Sequence, residues 1–178
     1  MYKKVVIDSK YKINTNLLET LITPIKTGKY TKDKGTAFPY FHSNGIKGYL
    51  DDYMFDGNYI IQASSGSNIN ENIFYYNGKF NTTNFNIVFK SFDEKICLTK
   101  FLYYYIKLKF NIRLNCSNTS TIPNIDKKTF LKMPVNLPPL DIQLKIINNL
   151  DNIYDTEIKY SNNLIISLNK SIMNIMNE

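Results

Sequence analysis

The sequence predicts an α+β fold: a mixed, loop-rich β-sheet domain with flanking helices, followed by a long C-terminal coiled-coil helix. Three observations carry this expectation. All seven glycines fall between Gly28 and Gly78, interleaved with short apolar runs. The apolar spacing changes to a helical period in "DEKICLTKFLYYYIKLKF", residues 93–110. Residues 140–178 hold neither Gly nor Pro and repeat apolar positions at steps of three and four. The expected division is a sheet domain over 1–137 and a helical arm over 138–178.

Taken in order, "MYKKVVIDSKYK" is polar and lacks the apolar stretch of a secretion signal. No run approaches the roughly 18 apolar residues of a membrane span, so a soluble, cytoplasmic chain is expected. "NLLETLITPI" reads as a short helix or strand stopped by Pro24. Then come "AFPYF", "GYLDDYMF", "NYIIQA", "NIFYYN" and "FNIVFK". Each is strand-like and bounded by Gly, Asn, Ser or Asp, which accept turn dihedrals. Phe38, Tyr40, Ile60, Phe74 and Phe85 are the expected core of this antiparallel or mixed region.

In residues 93–110, Leu98, Phe101, Leu102, Tyr105 and Ile106 share one helical face, with Lys100, Lys107 and Lys109 mostly off it. Ser91 or Asp93 is the expected cap, and the Tyr103–Tyr105 triplet reads as packing. "FLKMPVNLPPL" is an extended connector, because proline biases the residue before it away from helix.

Pro139 suits a first helical turn, and Asp141 favours the positive end of the helix dipole. The seam beyond runs Ile147, Leu150, Tyr154, Ile158, Ser161, Ile165, Leu168, Ile172, Ile175, a heptad pattern with a stutter near Ile158. Such a helix is about 55 Å long, too long to wrap neatly on a domain whose radius of gyration is roughly 14 Å. It predicts a protruding arm that pairs with another chain, a homodimer being the expected form.

Charge divides along the same line. Residues 1–139 hold 19 Lys/Arg against 10 Asp/Glu, whereas residues 140–178 hold 3 against 5. A basic front suits a polyanion partner or plain solubility. Two cysteines, Cys97 and Cys116, are too few for a zinc or disulfide framework. One histidine, His42, does not furnish a histidine metal cluster. There is no phosphate-binding glycine loop and no Asn/Asp-Pro-Pro-aromatic tetrapeptide; "NLPPL" has the prolines without the aromatic. Asp151, Asp155, Glu157 and Lys159 form the nearest nuclease-like cluster, but they fall on the arm, where charges of both signs read as a solvated face. The chain is expected to be non-catalytic.

The stretch "GKYTKDKGTAFPYFHSNGIKGYLDDYMFDGNYIIQASSGS", the segment "GKFNTTNFNIVF" and the connector "FLKMPVNLPPLDIQLKIINNLDNIYDTEIKYSNNLI" resemble, in order and spacing, the target-recognition domain and following helix of type I restriction-modification specificity subunits. The resemblance covers roughly residues 26–178. It implies a DNA-reading half-subunit with one recognition domain and one long helix. Such a chain would dimerise through the helix to read a bipartite, interrupted palindrome beside a DNA methyltransferase subunit and a possible restriction subunit. No cofactor is expected here; the methyl donor S-adenosylmethionine would sit on the partner. The pattern departs at His42, where the family commonly has glycine, and at "ASSGS", which replaces a segment that often contains Arg. His42 is open to a base or phosphate contact or to a plain turn position.

Loop chemistry nominates the contacts. Lys29, Lys32 and Lys34 suit phosphates, and Ser43, Asn44 and Lys47 reach from the first glycine loop. Ser64, Ser65, Ser67 and Asn68 form a second tip, with Thr83, Asn84, Asn118 and Thr119 beyond it. Lysine positions a protein on phosphates, whereas asparagine addresses adenine with paired hydrogen bonds. Alternatives are a freestanding DNA-binding regulator, a decoy competing for methyltransferase subunits, and a coiled-coil module whose head binds protein.

Overall fold

The computed structural model describes residues 14–109, 111–115 and 122–176, and the chain divides into two compact units, 1–143 and 144–178. Within the first unit, β1 (Asn14–Leu17) runs into the single-turn helix α1 (Leu18–Leu21). The leading apolar segment is therefore strand and helix in succession, and the helix ends before Pro24. The strands β2 (Lys26–Thr27), β3 (Phe38–His42), β4 (Gly45–Leu50), β5 (Phe55–Ala63), β6 (Ile73–Thr82) and β7 (Asn86–Phe89) form one six-stranded sheet ordered β2-β7-β5-β6-β3-β4. It is mixed: β3 runs parallel to β6, and the other pairings are antiparallel.

Two sequence expectations shift here. "GYLDDYMF" is not one strand, because Asp51–Met54 leave the ladder between β4 and β5. In turn, β6 continues through Gly78 to Thr82. Gly57 and Gly78 face each other across β5 and β6 with φ of 118° and 138°. Side-chain residues are strained there, so the glycine pair lets both strands bend together.

One face of the sheet carries Phe41, Phe55, Ile61, Phe80 and Val88, with Tyr59, Phe74 and Tyr76 packed on them. Phe55 stacks on Phe80 at 5.0 Å, and Phe41 meets Phe80 edge-on at 5.8 Å; such pairs add about 0.5–1.5 kcal/mol each beyond burial. The period-two alternation of β5 and β6 sends neighbouring residues to the other face. There α2 (Thr99–Lys109) packs on both strands, and Tyr75 meets Tyr103 at 6.0 Å.

The helix α2 starts later than its apolar spacing suggests. Asp93 does not cap it: its carbonyl accepts from Ile96 and Cys97 N–H in a separate turn. Ser91 is buried and donates its N–H to Thr99 Oγ1. Glu94 instead receives the N–H and hydroxyl of Thr99. Buried Phe101, Leu102, Tyr104 and Ile106 form the packed face. The tyrosine triplet is structural: Tyr104 is buried, and the Tyr105 hydroxyl accepts from Asn136 N–H and donates to Pro134 O.

Beyond α3 (Ile112–Asn115) and α4 (Lys127–Leu131), the connector contains β8 (Pro134–Leu137), paired antiparallel with β1 in a second, two-stranded sheet. The last element is α5 (Leu140–Met176), 37 residues without interruption. Its first turn is fixed within the first unit by Gln143, fully buried. Gln143 Oε1 accepts from Leu98 N–H, and its Nε2 donates to Ile96 O and Pro138 O.

In the second unit the helix exposes apolar side chains. Ile158 is 58% and Tyr160 72% exposed, and Ile153 is exposed as well. Ile147 is buried, and Leu150 and Tyr154 are half-buried. Ile153 and Tyr160 lie off the predicted seam, so the apolar stripe is broader than the heptad positions alone. The Ile165, Leu168, Ile172 and Ile175 side chains lie outside the described residues, although their backbone is helical. Among the described residues no helix is long and apolar enough to cross a membrane.

Candidate nucleic-acid interface

The predicted contact loops are joined to one another by backbone hydrogen bonds. The lysine loop comes first. Lys29 N–H donates to Thr82 O at 2.9 Å, at the end of β6. That approach requires Gly28, since a Cβ there would stand 1.7 Å from the same oxygen. The Tyr40 hydroxyl then donates to Lys29 O and accepts from Thr31 N–H, both at 3.0 Å. A side chain of β3 thus shapes the loop that carries Lys29, Lys32 and Lys34, all exposed.

The first glycine loop is the hairpin between β3 and β4. Asn44 and Lys47 are exposed and Ser43 is half-buried. His42 packs edge-on against Tyr40 at 4.9 Å and Tyr30 at 6.5 Å, tying this hairpin to the lysine loop. Partial burial of the ring, aided by the nearby Lys47 charge, holds the His42 pKa below its ordinary value. At neutral pH it is an uncharged ring wedged between tyrosines.

The third tip is the turn between β6 and β7. Phe41 O accepts from Thr83 N–H, Thr82 Oγ1 and Asn86 Nδ2, so β3, β6 and β7 meet at one carbonyl. Thr83 is fully buried, and its hydroxyl accepts from Phe85 N–H. It serves the turn and presents no surface, contrary to its nomination as a contact. Asn84 is exposed. Phe85, expected in the core, is 51% exposed, because it lies in the turn between β6 and β7 and not within a strand of the sheet.

Phe85 O in turn accepts from Ser64 N–H and Ser64 Oγ, each at 2.8 Å. This joins the turn to the fourth tip, where Ser64 and Ser65 are half-buried and Ser67 and Asn68 are exposed. Beyond it, Ser64 O accepts from Ile125 N–H and Gly66 N–H donates to Pro123 O. Asn118 and Thr119, on the segment leading to Pro123, lie outside the described residues.

Electrostatics qualifies the lysine loop. Lys29 and Lys34 line a cleft of about 650 Å³ together with Asp33, Asp51 and Asp52. Three carboxylates therefore sit beside two ammonium groups, and Asp51 also holds the loop by accepting from Thr36 N–H. The Asn84 and Ser64–Asn68 tips carry no ionisable side chain. One part of the surface is charged and mixed in sign, and the other is neutral and rich in hydrogen-bonding groups. Cys97 is buried and its thiol is pushed up to about 12, by burial first and then by Glu94, which makes it a packing residue. Among the described residues no group of three or more His, Cys, Asp or Glu is placed to hold a metal ion.

Residues 8–170 match the family model described as the type I restriction modification DNA specificity domain. The chain belongs to this family. Specificity subunits are the non-catalytic, DNA-recognising members of type I restriction-modification systems. The chain is similar to the type I restriction enzyme MpnII specificity subunit of Mycoplasma pneumoniae, 34% identical over 109 residues, which are 61% of this chain and 31% of that protein. Its fold resembles the type I restriction-modification S subunit from M. genitalium, with a TM-score of 0.72, 18% identity, and coverage of 89% of this chain and 43% of that one. It also resembles the HsdS subunit from Thermoanaerobacter tengcongensis, with a TM-score of 0.53, 16% identity, and coverage of 81% and 38%. The chain thus spans less than half the length of each.

Sequence reasoning placed Phe85 in the core and did not foresee that the Pro123–Ile125 segment, of which only Asn124 is exposed, hydrogen-bonds to the Ser64–Gly66 tip. "NTTNFN" held a signal for the first: Phe85 directly follows three turn-forming residues, where a core role is hard to supply.

Proposed function

We propose that this chain is a sequence-specific DNA-binding half-subunit. The sheet domain, residues 1–137, reads duplex DNA, and the helical arm, residues 138–178, pairs with a second copy. The pair directs a methyltransferase subunit, with or without a restriction subunit, to a bipartite site. The observation that carries the reading is a connected path: Lys29 is hydrogen-bonded to Thr82, the β6–β7 turn leads from Thr82 to Phe85, and Phe85 is hydrogen-bonded to Ser64. It gathers three exposed tips, nominated from sequence for DNA contact, on adjoining backbone, and the His42 ring contacts with Tyr30 and Tyr40 bring the β3–β4 hairpin beside the lysine loop. Exposed apolar groups on α5, Ile153, Ile158 and Tyr160, support pairing with another helix. Two-fold pairing of one reading head calls for an interrupted palindrome, since protein symmetry is mirrored in the site.

The test is duplex binding by the purified chain across a salt series, followed by sequencing of enriched DNA. Affinity that falls steeply with salt and a two-part palindromic site are expected. A continuous, non-palindromic site would refute the paired arrangement. Co-purification with an active adenine methyltransferase is expected, whereas a partner held inactive would favour the decoy.

A further inference from the structure

We infer that Asn84 and Phe85 together read one A·T base pair in the major groove, Asn84 on the adenine edge and the Phe85 ring on the thymine methyl. This deepens the DNA-binding reading and rests on it. An exposed phenylalanine alone means little, since folded proteins leave many apolar groups in water. Phe85 differs because its backbone is held on both sides while its ring is left open. Its N–H donates to the hydroxyl of buried Thr83 at 3.3 Å, and its carbonyl takes two hydrogen bonds from Ser64. The residues that flank the turn are fixed as well: Asn86 is fully buried and its Nδ2 donates to Thr82 Oγ1 at 2.7 Å.

A half-exposed ring on so constrained a turn has its point of attachment fixed and half of its surface free for a contact made elsewhere. Its surroundings are uncharged: Asn84 precedes it, and Ser64 bonds to it. The chemistry of the two residues is complementary to one base pair. Asparagine matches adenine N6 and N7 with paired hydrogen bonds, and thymine presents a methyl group in the same groove that phenylalanine contacts. Adjacent positions on one turn supply both.

The probe is a random-sequence duplex library bound to the full chain at low salt, then the enriched site with each thymine replaced singly by uracil. For the unaltered protein, one uracil position should weaken binding about fourfold, the value of one buried methyl group. Phe85→Ala should lose that thymine dependence and keep the salt slope, and Phe85→Leu should retain it. Asn84→Ala should relax the preference for A·T over G·C at that same pair, a discrimination of roughly 5- to 150-fold. The uracil series uses the native protein, so it is decisive whatever the variants' stability. Indifference to uracil at every position, or the same thymine dependence in Phe85→Ala, would overturn this inference while leaving DNA binding intact. Absence of any salt-dependent duplex binding would instead overturn the DNA reading itself, and this inference with it.

Discussion

The six-stranded sheet and the long helix use apolar residues in opposite ways. In the sheet Phe80, Phe89, Ile60 and Ile61 are fully buried, and aromatic rings meet at 5–6 Å across the strands. On α5 the apolar groups Ile153, Ile158 and Tyr160 stand open. A domain that buries its own rings gains its stability from within. A helix that leaves isoleucines in water has apolar surface still to bury, and heptad spacing makes a second helix the natural cover. The difference predicts where a mutation acts: on folding in the sheet, and on association in the helix.

Phe80→Ala is the strongest way to break that comparison. Removing a fully buried ring that touches Phe41, Phe55, Tyr59 and Tyr76 should cost about 3–5 kcal/mol, read by denaturant unfolding. Ile158→Ala, at dilute concentrations where the chain is unpaired, should change stability by no more than about 0.5 kcal/mol. Equal losses at the two positions would mean that the helix, too, is covered within its own chain.

Leu150→Asp and Ile158→Asp come next. In the proposed pair each puts a carboxylate in the helix–helix seam, where an unpaired buried charge is costly, so sedimentation should show monomer at concentrations where the unaltered chain pairs. An unchanged mass would show that association, if any, runs through another surface.

Much of this organisation was legible because periodicity reports burial. The 140–178 segment shows its helix in uninterrupted spacing, and the glycine-bounded runs show strands. Details set by tertiary partners were not legible. The helix α2 starts at Thr99 because Glu94 takes the Thr99 N–H and hydroxyl, while Asp93 folds a turn of its own. Local spacing does not encode that choice between two acids. β8 is a strand only because β1 lies beside it, with Asn136 facing Thr15 across a sequence separation of 121 residues. Among the residues nominated for DNA contact, turn chemistry marked most of the loops, although Lys47 lies in β4, and it did not tell which member faces outward. Thr83 and Asn84 are adjacent polar residues, and a carbonyl on a distant strand, that of Phe41, decides that the first is buried.

A second contrast lies within the surface, between the lysine loop and the neutral tips. Reversing Lys29, Lys32 and Lys34 to Glu should weaken binding to all duplexes alike, without changing which sequence is preferred, because phosphate contacts carry no base information. Every lysine–phosphate pairing abolished should lower the slope of log affinity against log salt by about 0.9. The carboxylates of Asp33, Asp51 and Asp52 already temper this loop, so a total fall nearer 1 than 3 is expected, and the three single variants would show which lysine makes the phosphate contact. An unchanged slope and affinity would remove the loop from the interface and leave the neutral tips to do the reading.

The smallest effect sharpens the same contrast through pH. His42 joins the lysine loop to the hairpin through Tyr30 and Tyr40, and its folded pKa lies below the ordinary 6.5 because burial and then Lys47 disfavour the charged ring. Between those two values the unfolded chain binds a proton that the folded chain does not, so stability rises with pH there. This contribution is complete above about 6.5 and is lost as pH falls through the folded value. The ring is only partly buried, so solvent screening keeps the effect small. Thermal midpoints of the native chain should fall faster than those of His42→Gln as pH drops from about 7 to 5. Parallel curves would mean that the ring takes up its proton without disturbing its tyrosine neighbours, and that the lysine loop is held to the hairpin strands by the Tyr40 hydroxyl and by Gly35 N–H on Tyr49 O.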